Sequence, residues 1–127
     1  MEKIIHNNTL VAVRIKKSKT GITPLSDSDQ PLQVLIHSRE KGSQTKAHLH
    51  KPTQRITQAL QECLVILKGK IKIDFFTTEK KIFKSIQASK GEVIIFVSGG
   101  HAVHVLENSE IVEVKNGPFI EDREFIE

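Results

Sequence analysis

Cysteine occurs once, at Cys63, in a chain of 127 residues. A lone cysteine excludes an internal disulfide framework and any C-x-x-C metal knuckle. Tryptophan and tyrosine are missing, and the six phenylalanines sit in apolar runs. Stacking platforms for single-stranded nucleic acid are therefore poorly supplied. No apolar run is long enough to span a bilayer. The opening MEKIIHNNTL lacks the charged, then apolar, then small-residue order of a secretion signal. These absences predict a cytoplasmic protein with neither a membrane nor a nucleic acid as partner.

What is present suits one folded domain covering residues 1–127. Hydrophobic residues make up 38% of the chain and charged residues 27%, enough apolar material for a core and too much for a disordered chain. The net charge is +4, but lysines such as Lys16, Lys46, Lys68, Lys72 and Lys81 are scattered and no basic helix is formed. Solvated strand faces account for them better than a nucleic-acid surface does.

Hydropathy alternates with a short period along most of the chain. Strands are expected at residues 10–16, 32–37, 63–67, 71–76, 81–86, 92–97, 102–106 and 111–115, separated by Gly-, Ser- and Asn-containing turns. Eight or nine short strands at this spacing predict an all-β sandwich or barrel. Residues 53–61 are the one helix-compatible stretch. Residues 63–67 and 93–97 are apolar at every position, so both faces of these strands need cover. Either an N-terminal strand or a second subunit has to supply it, and a homodimer is the expectation.

The chemistry rests on the histidines. His48 and His50 form an H-x-H, and in an extended strand residues two apart share a face, where two imidazoles can bind one metal ion. Glu62 opens an apolar strand that ends at Gly69, poor company for a carboxylate unless it is paired or bound to a cation. Gly99 and Gly100 then precede His101 and His104. A histidine after a glycine turn can return to the same mouth. Cys63 points away from Glu62 and reads as a structural thiol, while His6 and His37 read as ordinary histidines.

This set of features resembles the cupin superfamily. Gly42, His48, His50, Glu62 and Gly69 follow its first motif, G-x5-H-x-H-x3,4-E-x6-G. Gly91, Gly99, Gly100 and the H-x3-N of His104 and Asn108 follow its second. The chain departs from the pattern at an insertion of residues 51–61, which leaves Gln54 at the usual glutamate spacing, and at the missing proline of the second motif. HLHKP at 48–52, Gln61-Glu62, Gly69-Lys70, SGGH at 98–101 and VKNGPF at 114–119 also resemble a narrower group of small cupins, in which the histidine directly after the glycines recurs.

The resemblance implies a double-stranded β-helix, a cupin or jelly-roll-like barrel. It implies a divalent metal (Fe, Mn, Zn or Ni) held by His48, His50, Glu62 and a late histidine, His101 ahead of His104. The insertion carries Lys51 and Arg55, candidate contacts for an acidic group on a small-molecule substrate, and Gln54, Gln58 and Gln61, which offer amides. The expected activity is isomerisation or epimerisation of a sugar-like or carboxylate compound, or dioxygen chemistry. Two other readings stand beside it: a non-catalytic ligand-binding or sensor module, and a metal-free sugar-nucleotide isomerase using histidines as acid and base.

Overall fold

A computed structural model describes residues 1–16 and 20–127. It is all-β: ten strands and, among the described residues, no helix. They are β1 (Glu2–His6), β2 (Thr9–Ile15), β3 (Gly21–Pro24), β4 (Leu35–Ser38), β5 (Glu62–Lys68), β6 (Lys70–Phe76), β7 (Ile82–Ser89), β8 (Val93–Phe96), β9 (Gly100–Val105) and β10 (Glu110–Lys115). A five-stranded sheet runs β1-β2-β8-β5-β10, a three-stranded sheet β7-β6-β9 and a two-stranded sheet β3-β4. Every pairing is antiparallel.

Alternation builds the main core. Leu64 and Ile66 of β5, Ile94 and Phe96 of β8 and Ala12 of β2 face Ile71, Ile73 and Phe75 of β6 across the space between the two larger sheets. Phe75 is wholly buried, and its ring lies 6.0 Å from that of Phe96 and 6.4 Å from that of Phe83. At the tight passage from β5 to β6, Gly69 has a φ of 90°, and a Cβ there would run into Ser109 Oγ and the Asn108 carbonyl. Only glycine fits both the left-handed backbone and the close approach.

The second face of β2, β8 and β5 has its own cluster of Val13, Ile15, Ile95 and Cys63. Leu25 is buried against it, with Leu32, Val34 and Ile36 packed around. The hairpin that carries these residues is tied by Leu25 N–H to Val34 O (2.8 Å) and by Ser26 Oγ to Leu32 O (2.9 Å). The cover that two-sided apolar strands require is thus supplied by residues 25–36 of the same chain. The apolar character of residues 63–67 and 93–97 no longer calls for a second copy.

The helix-compatible residues 53–61 form neither helix nor strand. They belong to residues 39–60, which are exposed throughout and carry no regular structure. The larger sheets do not close into a barrel. Among the described residues β9 pairs only with β6, and β10 only with β5. The inward-facing valines of β9 remain accordingly open, Val103 at 39% and Val105 at 61% exposure.

Candidate functional site

The open side brings two polar side chains together from different sheets. Glu62 is the first residue of β5, in register with Phe96 of β8 and Lys115 of β10. His101 lies on β9, in register with the inward Phe75, so its ring also points inward. It stacks on Phe96 with centroids 3.8 Å apart and planes 12° apart. That stacking fixes the plane of the imidazole and places His101 Nε2 3.4 Å from Glu62 Oε2.

Glu113 and Lys115, two apart on β10, share the inward face with Glu62. The His101 imidazole holds the Glu62 carboxyl below its ordinary pKa, against the opposing pull of burial, with Glu113 and the Lys115 ammonium adding to the lowering. Glu62 is therefore a carboxylate at neutral pH. The group lines a cavity of about 630 Å³ bounded also by residues 57–60 and 116–123. Glu62, Glu113, Glu121 and Asp122 contribute negative charge to its wall against Lys115 and Arg123.

Of the expected metal ligands, the structure joins Glu62 with His101. His104, on the opposite face of β9, bonds through Nε2 to Asp74 Oδ2 at 2.8 Å. Asp74 also accepts from the Ser85 hydroxyl and has Lys72 Nζ 3.4 Å away. The alternation of β9 thus sends the two late histidines to different environments. His48 and His50 lie in the exposed segment with rings 5.0 Å apart, and His48 Nδ1 lies 2.7 Å from Lys46 O. Among the described residues, no three His, Cys, Asp or Glu side chains are gathered as a metal-holding group. Lys51 and Arg55 are exposed and outside the cavity lining, and Arg55 donates to Thr53 O at 3.2 Å.

Gln61 does not offer its amide to a ligand. It is buried; its amide nitrogen donates to Gln30 Oε1 (2.8 Å) and its side-chain oxygen accepts from Leu32 N–H (3.3 Å). Its backbone N–H donates to Asn116 Oδ1 at 2.9 Å, and Asn116 donates in turn to Ala59 O at 3.0 Å. These bonds clamp the chain just ahead of Glu62.

Sequence reasoning missed Glu113 and Lys115. Their signal was the alternation EIVEVK in β10, whose charged positions fall beside a glutamate once the β5–β10 register is known. No family model, no curated protein and no solved structure matches the chain.

Proposed function

We propose that the chain is a cupin-type protein that binds a divalent cation together with a small organic molecule in the cavity beside Glu62 and His101. The observation that carries this reading is the convergence of Glu62 Oε2 and His101 Nε2, delivered from two sheets to a separation of 3.4 Å at the cavity wall. Donor atoms bound at about 2.1 Å to one ion, at angles between square and tetrahedral, stand about 3.0–3.4 Å apart. The pair fits that spacing, and the net-negative cavity wall favours a cation.

The remaining ligands of the expected set, His48 and His50, are not assembled with the pair in this structure. They belong to the exposed residues 39–60, and the proposal assigns their delivery to that segment. When bound, a divalent ion supplies Lewis acidity for isomerase, epimerase or dioxygenase-type chemistry on a sugar-like or carboxylate compound. Glu62 and His101, the latter stacked on Phe96, would be ligands that hold the ion, and Glu113 and Lys115 beside them on the cavity wall are left to bind and orient the organic molecule.

One observation favours a second reading. The Glu62 and His101 side chains already face one another at 3.4 Å on the cavity wall, an arrangement that also suits metal-free acid–base or ligand-binding roles. Elemental analysis separates the two, using protein purified without chelator or nickel resin. Stoichiometric metal supports the cation site. Metal-free protein that still binds a small ligand in the cavity overturns it in favour of the second.

A further inference from the structure

We propose that residues 117–126 are a strap that closes the open side of the molecule over His101 and must lift to admit the ligand. The inference rests on the reading that the cavity takes up a ligand, and it follows the chain beyond β10. Lys115 ends that strand in the five-stranded sheet. The next residues, Gly117 to Arg123, line the cavity. The chain then reaches the other sheet. Glu124 Oε1 lies 2.9 Å from Nζ of Lys80, in the turn between β6 and β7. Ile126 then wraps past the end of β9 onto its outer face, where it rests on Gly100 so closely that a Cβ there would stand 2.7 Å from Ile126 Cδ1.

The segment thus crosses from one sheet to the other on the side where, among the described residues, neither β9 nor β10 has a further partner. What holds it down is slight. The Lys80–Glu124 pair is solvated, with side chains 47% and 80% exposed, and such pairs contribute about 0–1 kcal/mol. Phe119, Ile120 and Phe125 each leave 70% or more of their surface in solvent. The bonds of Arg123 to Glu121 are local and tie the strap only to itself. A segment with few buried apolar contacts and an exposed ion pair opens at low free-energy cost. Its acidic residues Glu121, Asp122 and Glu124 also place its closure under control of salt.

Acylation of histidine by diethyl pyrocarbonate, mapped peptide by peptide on the full chain, reads the opening without any metal or substrate. His37 of β4 is the internal reference, because it is exposed and lies in the separate two-stranded sheet. Glu124→Lys should raise the His101 rate about two- to fivefold, the effect of losing an exposed ion pair, and leave His37 unchanged. Adding Ile126→Asp should raise it further, and the charge swap Lys80→Glu/Glu124→Lys should return it to the wild-type value. Equal His101 rates in wild type and in the Glu124→Lys/Ile126→Asp variant overturn the strap. A responsive His101 in a protein that takes up neither metal nor ligand retains the strap and overturns the functional reading instead.

Discussion

The two flanks of the molecule are built to opposite specifications. On the β2–β8 flank both sheet faces are covered: Ala12, Ile94 and Phe96 inward, Val13, Ile15 and Ile95 outward under the hairpin of residues 25–36. On the β9–β10 flank each strand has one partner among the described residues, inward valines stay open, and charged residues replace apolar ones on the inner face. Apolar packing is concentrated where burial is complete, and charged side chains where it is not. The Glu62–His101 pair sits on the border, and Phe96 belongs to both flanks: one contact is with the buried Phe75, the other with the His101 imidazole.

That contrast is open to breaking by substitution. Phe75→Ala should have the largest effect, a loss of about 3–5 kcal/mol in denaturant unfolding, because the ring is wholly enclosed. A loss under about 1 kcal/mol would show that the sheets are not packed on one another there. Leu25→Ala should cost about 2–3 kcal/mol, since the residue is buried against the outer cluster. A neutral result would mean that something other than this hairpin covers β2, β8 and β5. Val105→Ser on the open flank should change stability by no more than about 0.5 kcal/mol. A core-sized loss would contradict its exposure.

A smaller, electrostatic contrast lies on the outer face of the three-stranded sheet. The Ser85 hydroxyl first, then His104 and Lys72, hold the Asp74 carboxyl below its ordinary pKa, against desolvation. A depressed carboxyl pKa stabilises the fold above the unfolded-state value, and the contribution is lost as pH falls through the folded-state value. Ser85→Ala should move the Asp74 pKa upward, read by carboxyl NMR titration, and weaken stability at neutral pH more than at strongly acid pH. An unmoved Asp74 would show that the hydroxyl does not bond to it.

Much of the fold was legible because period-two alternation survives wherever a strand has one buried face. All eight expected strands recur, in β2 and β4 to β10, with ends shifted by up to three residues. β1 was missed because EKIIH is short and carries one buried residue, Ile4. β3 was missed because Gly and Pro bound its four residues. The cover over Cys63 and Ile95 was not legible either. It is made by residues 25–36, whose apolar positions are diluted by Ser, Asp and Gln, so burial there is a tertiary fact. Glu62 and His101 were both readable as candidate site residues from their place beside an apolar strand and a glycine turn. Their meeting needed the register of two different sheets. Nothing in the alternation of β9 separates His101 from His104. The side of the sheet does, and it becomes visible once Phe75 is seen to oppose His101.

The most direct test of the central claim is a competitive divalent-metal titration at pH 7 and again below about 6.5, where free imidazoles protonate. Wild type should be compared with Glu62→Gln, His101→Gln and the double variant His48→Ala/His50→Ala. The account predicts measurable binding to wild type, weaker binding at the lower pH, and a loss of about tenfold or more in each variant. Equal affinity in wild type, in Glu62→Gln and in the double variant would contradict it.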